Sequence, residues 1–471
     1  KMIGLSLIAA ITTACSTPSP YSASLSAPNA WSAAGSSNEP ASAWWKSFGD
    51  TNLVRLVEAA LVANHDLKAM TARVLAAMEQ SRIAGAALVP SVTGQFTSAH
   101  QQQVFVGLPI PGVAGPLKSR STSQNFQLVA NWELDVWGRV GAGRKAALAD
   151  YMAATDDLRG ARLSLVGQIV RVWFHLAEAE LQFGLAQARA KSFKATSDKI
   201  RARYEEGLRS PLDLRLAKGN AAAARAMTAL VEAELNAARR QLQALLGKYP
   251  DGALRGPGAL PILQTKVPVG LPSELMERRP DLLAANWRLV ATGYRASEAK
   301  AARLPRISLT ASGGSTSSEL QDLIDLDFSI WSIAANAAQP IFQGGRLRAN
   351  VRRSKALLQA AAEEYDSAVL NAFREVETAL ASEEILQRRE FAMRESSTQA
   401  TGAEQLAQVR YEAGLDSSLT LLEAQRSALD AEAKLISVRR MRLDNRVALH
   451  LALGGGFEDP MPPDQIEDYT K

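Results

Sequence analysis

The chain has 471 residues, 47% hydrophobic and 21% charged, with a mean hydropathy of −0.09. No uninterrupted apolar run reaches the ~18 residues that mark a spanning helix, so a membrane could be crossed only by a closed β-barrel, the other structure that satisfies every backbone group in lipid. The net charge of +5 comes without a contiguous Lys/Arg block that would track phosphates, which argues against nucleic acid as a partner.

Residues 1–14 read as a signal peptide truncated at its start: Lys1 precedes an apolar stretch from Ile3 to Ile11. Thr12-Thr13-Ala14 then lead into Cys15, the only cysteine, so no internal disulfide is possible. Small residues before a cysteine are similar to a bacterial lipobox, with Thr12 where Leu is usual. Cys15 is therefore the expected lipidation site, a palmitate-type lipoprotein anchor, and Ser16 rather than Asp after it reads as an outer-membrane address. Residues 15–43 are rich in Ser, Ala and Pro, the composition of an extended tether. Order is expected from Trp44-Trp45-Lys46-Ser47-Phe48-Gly49-Asp50 onward, after which a helical segment from Asn52 to Val89 is predicted.

Four short segments have strand character. Ser91 to Gln103 places Val92, Gly94 and Phe96 on one face. Ser123 to Asp135 alternates Phe126, Leu128, Ala130, Trp132 and Leu134 against Asn125, Gln127, Asn131 and Glu133, the period of two expected between apolar and aqueous surroundings. Arg306 to Thr316 and Asp327 to Ala338 are weaker versions. A Gly/Pro-rich loop, Gly107 to Gly115, separates the first pair; Gly313-Gly314-Ser315 and an acidic stretch are expected between the second.

The remainder reads as long helix. Leu165, Ile169, Val172, Leu176, Ala179 and Phe183 are spaced as a coiled-coil seam. The stretch of ~68 residues from Arg139 to Glu206 has no proline and would extend ~100 Å as a helix. Further helices are predicted over Leu212 to Gly247, Ser273 to Leu304, Gly344 to Ala413 and Leu419 to Leu453, with a Gly/Pro-rich connector at 249–272.

The chain also repeats itself. Arg203-Tyr204-Glu205-Glu206-Gly207-Leu208-Arg209-Ser210-Pro211-Leu212 is matched 207 positions later by Arg410-Tyr411-Glu412-Ala413-Gly414-Leu415-Asp416-Ser417-Ser418-Leu419 (410 − 203 = 207). The register persists to Gly247 and Gly454. Asp66-Leu67, Arg73 and Pro90 correspond to Asp281-Leu282, Arg288 and Pro305 at an offset of 215 (281 − 66 = 215). Such self-similarity implies two like halves. Each motif reads as a tight turn between antiparallel helices: Gly207 and Gly414 suit a left-handed closing residue, and Ser210-Pro211 and Ser417 suit the start of the next helix.

Several motifs together resemble the TolC-like outer membrane factors, in particular the lipoprotein branch serving multidrug (RND-type) efflux pumps. They are the Trp44–Asp50 segment, Trp132-Glu133-Leu134-Asp135-Val136-Trp137-Gly138-Arg139, Arg278-Arg279-Pro280-Asp281-Leu282, Gln339-Pro340-Ile341-Phe342-Gln343-Gly344-Gly345-Arg346 and the two turns. The resemblance implies an α+β membrane protein: a homotrimer whose chains give four strands each to a twelve-stranded outer-membrane β-barrel, continuous with a long periplasmic α-helical barrel. It divides this chain into repeats at 44–248 and 273–455, a connector at 249–272 and a C-terminal tail at 456–471. It implies a passive exit duct of a tripartite efflux pump, working with a periplasmic adaptor and an inner-membrane pump. Two other readings stay open: the outer component of a type I protein secretion system, and a lipid-anchored periplasmic scaffold without a pore.

The resemblance also suggests site residues. The turns, with Arg203, Gly207, Leu208, Arg410, Gly414 and Leu415, would meet the adaptor. Leu419 and Glu423, four apart on one helical face, would narrow the pore, with Leu216 standing in the first repeat where Glu423 stands in the second. Trp132, Trp137 and Trp331 are either interfacial aromatics or packing residues at the strand–helix junction. No enzyme is expected, and no cofactor or metal. His65, His100, His175 and His450 share no ligand spacing, Gly141-Ala142-Gly143 is too short for a nucleotide loop, and the methionines are scattered.

Overall fold

A computed structural model describes residues 28, 30–32, 43–106, 116–263 and 272–455. The expected signal peptide, Cys15 and the C-terminal tail from 456 onward lie outside the described residues, as does the Gly107–Gly115 loop. The described residues fall into two units.

The first unit comprises residues 75–153 and 285–365 and holds a four-stranded antiparallel sheet in sequence order: β1 (Ser91–Phe105), β2 (Leu117–Leu134), β3 (Arg306–Ser317) and β4 (Ser329–Ala338). The ladders fix the two faces. Phe96 lies opposite Phe126, Leu128 opposite Gly313, Ala130 opposite Ala311, and Ala311 opposite Ile333. Most of the large apolar residues, among them Val92, Phe96, Phe126, Leu128, Trp132, Leu309, Trp331 and Ile333, therefore share one face, and Gln95, Gln127, Asn131, Thr310 and Ser332 share the other, with Val129 and Ile330 among them. Among the described residues β1 and β4 each have one neighbour only, so the sheet has two open edges.

Two strand expectations are corrected. Gly313 and Gly314 are not in a connecting loop but inside β3, since β2 approaches there so closely that a Cβ on Gly314 would fall 1.9 Å from the Phe126 carbonyl oxygen. Asp327 belongs to a short 3₁₀ turn, Leu326–Phe328, capped by the Asp325 side chain, and β4 starts two residues later.

The second unit comprises residues 24–74, 154–284 and 366–471 and is helical where described. The expected helix over Asn52 to Val89 is two helices, α1 (Thr51–Ala63) and α2 (His65–Ala86). Asn64 breaks it: its buried side chain accepts from the backbone of Asp66 and Leu67 and donates to the Leu245 carbonyl at 2.9 Å. The expected helix over Ser273 to Leu304 is likewise two, α5 (Pro272–Arg278) and α6 (Pro280–Ala301). Pro280 lacks the N–H to continue α5 and starts α6 instead. Arg279 at the break is buried and holds both oxygens of Asp281, at 2.9 and 2.7 Å, plus Glu375 at 2.7 Å. Burial alone would raise the Asp281 carboxyl, but this guanidinium keeps it below its ordinary range.

The long helices match the expectations closely. They are α3 (Arg139–Glu205), α4 (Pro211–Leu245), α7 (Arg346–Glu412) and α8 (Ser418–Ala452), of 67, 35, 67 and 35 residues. The seam from Leu165 to Ala179 is buried, and Phe183 at its end is half-buried. Trp44 stacks on His450 with centroids 4.9 Å apart, Phe48 meets Phe174 edge-on, and Asp50 caps α1 while accepting from Trp173 Nε1 at 2.7 Å. The Trp44–Asp50 segment is thus a plug for this core.

Candidate functional site: the paired helix turns

Both repeated turns close in the same way. The Leu208 amide donates to the Arg203 carbonyl at 2.8 Å and the Gly207 amide to Tyr204 at 2.9 Å; Leu415 to Arg410 and Gly414 to Tyr411 reproduce the pattern at 2.8 and 3.1 Å. This is a Schellman ending, which needs a left-handed residue. Gly207 and Gly414 supply it, each at φ +75°. The restart differs. Ser210 forms a capping box with Asp213, with Pro211 in the first helical turn, whereas Ser417 caps through Thr420 without an acid.

The two turns then join. Ser418 Oγ donates to Asp213 Oδ1 at 2.5 Å, and this bond leads the causes holding the Asp213 carboxyl below its usual range. The Arg203 guanidinium lies 4.8 Å above the Tyr411 ring and reaches the carbonyls of Tyr411 and Glu412. Arg209 approaches the same ring at 5.2 Å. Lys199 pairs with Glu412 at 2.6 Å. Beneath them Tyr411 is fully buried with Phe193, Ile200, Ala217, Leu421 and Leu422. Gln425, also buried, donates to Ser192 and Thr196.

Of the residues expected to act here, Arg203 is drawn into the joint, but Arg410 is not. It pairs instead with Asp416 of its own turn at 2.7 Å. Leu208 and Leu415 share the same exposure, 68%, and stand out from the two turns as a pair of apolar studs. Leu419 is 59% exposed. Glu423 is exposed too, but it is not a bare carboxylate, since Arg426 holds it at 2.8 Å one turn later. Arg426, Asp213, Ser418 and Tyr411 were not singled out from sequence. Two of them had a local signal: Asp213 stands three residues after Ser210, as a capping box requires, and Arg426 three residues after Glu423, the spacing of a helical ion pair.

The junction tryptophans divide. Trp132 Nε1 donates to the Leu88 carbonyl at 3.0 Å and Trp137 Nε1 to Pro305 at 2.7 Å, so both pack where strands meet helices. Trp331 stands well exposed within β4. Among the described residues no helix is long and apolar enough to cross a membrane, and no group of three or more His, Cys, Asp or Glu could hold a metal.

A model of the outer membrane efflux protein family matches residues 56–248 and again 271–455. The chain is 36% identical over 425 residues to outer membrane protein OprJ of Pseudomonas aeruginosa, covering 88% of this chain and 86% of that one. It is 31% identical over 455 residues to the pyoverdine export outer membrane protein OpmQ of Pseudomonas putida, covering 95% and 96%. Among solved structures it superposes on the open-state MtrE outer membrane channel of Neisseria gonorrhoeae with a TM-score of 0.81 at 29% identity, covering 94% of this chain and 98% of that one.

Proposed function

The chain belongs to the outer membrane efflux protein family, and from that premise we propose that it is one subunit of an outer-membrane exit duct in a tripartite efflux pump. The observation that carries this reading is the sheet. It has an apolar face, a polar face and two open edges, which is a barrel segment and not a barrel. Four strands cannot close around a lumen, and an open edge in lipid would strand a row of unpaired backbone groups. Three copies joined edge to edge supply twelve strands, with the apolar face toward lipid and the polar face toward water. The helices then continue the duct through the periplasm, built from repeats at 44–248 and 273–455. Relatives named for pyoverdine, solvent or toluene export support small molecules as cargo. The family is one of channels and not enzymes, so no catalytic group is assigned.

In this reading the paired turns form the periplasmic tip. Leu208 and Leu415, held out by Gly207 and Gly414 and flanked by Arg203 and Arg410, are the surface offered to the adaptor. Leu419 and Glu423 narrow the pore, and Cys15 carries the lipid anchor. Planar-bilayer recording and native mass in mild detergent test the proposal together. A conducting particle near three times 50.5 kDa, less any processed leader, is expected. A stable, non-conducting monomer with intact helix content would sink it.

A further inference from the structure

All four strand–helix junctions lie at one end of the sheet, because Ser91 pairs with Asn131, Leu134 with Ile307, and Arg306 with Ala338. This end is strongly cationic. The first ten residues of α7 hold Arg346, Arg348, Arg352, Arg353 and Lys355 and no acid. Lys300, Arg303 and Arg306 add to them from the α6–β3 junction. Acids gather at the opposite end, at Glu319, Asp322, Asp325 and Asp327. The intervening strands, at ~3.3 Å per residue, keep the two sets far beyond screening distance.

Helix stability does not explain the cations. Arg346 and Arg348 sit in the first turn of α7, where the helix dipole disfavours positive charge. The first repeat manages the same point differently. Arg139, which precedes Arg346 by the repeat offset of 207 (346 − 139), is neutralised by both oxygens of Glu133, and Asp135 caps α3 at Val140 and Gly141. At the matching positions before α7 stand Pro340 and Phe342. Both acids are gone, and Ile341 and Phe342 are about nine-tenths exposed. Pro340 and Phe342 have replaced the two acids, and Ile341 stands where the first repeat has Leu134, so an apolar segment lies immediately beside the cations.

The cations also divide by face. Arg346 bonds Gln343, and Arg353 lines a cleft with Thr292, Arg295, Glu298 and Asn350. Arg348, Arg352 and Lys355, at helical spacings of four and three, form one exposed stripe and have no acidic partner among the described residues. From Arg348 to Lys355 the stripe rises about 10 Å along the helix. That is the depth of a headgroup layer plus the reach of a long side chain.

We infer that the Arg348–Arg352–Lys355 stripe, with Ile341 and Phe342 above it, is a docking surface for anionic phospholipid headgroups of the leaflet facing the periplasm. The inference rests on the channel reading, which puts the apolar sheet face in lipid. Exposed apolar residues then enter the acyl boundary, and cations one to three turns below meet phosphates at the membrane surface. The stripe positions the barrel along the membrane normal and marks which end faces the periplasm.

Native mass spectrometry of the full-length assembly, after addition of phosphatidylglycerol or phosphatidylcholine, tests this. Wild type should retain phosphatidylglycerol at least tenfold more strongly, and 0.5 M salt should erase most of the preference. Arg348→Gln/Arg352→Gln/Lys355→Gln should bring phosphatidylglycerol down to the phosphatidylcholine level. Arg388→Gln/Arg389→Gln/Arg394→Gln removes equal charge lower on the same helix and should not. Should the triple variant lose its helical circular dichroism, Arg352→Gln alone is expected to give a partial loss. Absence of a wild-type preference overturns the inference, as does a stripe variant that keeps it. So does a stripe variant that alters ion selectivity while lipid retention stays unchanged, because the stripe would then line the lumen. The mass and conductance of the same preparations separate the two proposals. A trimeric, conducting wild type without lipid preference defeats only this one.

Discussion

At the residue scale, the joint between the two turns depends on a few polar contacts laid over a buried ring. Arg203 has lost part of its hydration to the Tyr411 face and two carbonyls. Arg203→Ala should weaken the joining of the two turns by about 1–2 kcal/mol. Hydrogen exchange across 407–415 should speed up, with protection in α1 unchanged. Arg426 changes the expectation for the constriction. If Glu423 lines the pore, its pairing with Arg426 offsets the acid ring, so Arg426→Ala should increase cation preference in bilayer recordings and Glu423→Ala should reduce it. Equal selectivity in both variants would place the pair away from the permeation path.

His450 gives a pH dependence with a definite sign. Burial against Trp44, reinforced by Arg446, lowers its pKa to about 3. The unfolded chain has the ordinary value of about 6.5. Between these values the unfolded state binds more protons, so stability is full above about pH 6.5 and falls as pH drops toward 3, by roughly a few kcal/mol over the whole window. His450→Gln should flatten the fall in melting temperature between pH 6.5 and 4. An unchanged slope would assign the acid sensitivity to carboxylates instead.

At the element scale, breaks and caps matter more than helix propensity. Long helices here end at glycines with positive φ and restart on serines. Space is not what selects Gly207, since nothing lies within 4 Å of an added Cβ; the backbone angle is. Gly207→Ala should therefore cost about 1 kcal/mol. Gly219, inside α4 with equally open surroundings, makes the contrast. Gly219→Ala should stabilise by roughly 0.5–1 kcal/mol through helix propensity. Chemical denaturation of the two variants should move the midpoint in opposite directions. The two helices of the second turn are tied along their length as well: Arg442 on α8 bridges Glu383 and Glu390 of α7, at 3.1 and 3.0 Å.

At the scale of the whole molecule, the open sheet edges are the feature a single chain cannot resolve. On the proposed trimer they predict that assembly and membrane insertion are coupled, because exposed strand edges are costly in lipid. A monomeric fraction, if isolated, should lack conductance and should unfold at a lower temperature than the trimer. Finding a monomer that resists heat as the assembly does would show that edge pairing contributes nothing.

Much of this was legible in the residues. Strand alternation, the length of the long helices and the closing glycines follow from local chemistry, which a linear pattern records directly. The internal duplication marks both turns in the sequence alone. What the line of residues hid was pairing at a distance. Arg203 and Arg410 occupy equivalent places in the repeat, yet one stacks on Tyr411 and the other turns back to Asp416, because Asp416 replaces Arg209 in the second turn. Gly313 and Gly314 look like a loop until β2 is brought against them. The spaced cations of α7 form no contiguous block in the chain, and only the helical turn gathers Arg348, Arg352 and Lys355 onto one face, at the end of the sheet that holds every junction. Local periodicity and turn chemistry are properties of neighbouring residues. Electrostatic partnership is a property of whatever the fold brings within a few ångströms, and that was decided by the tertiary structure alone.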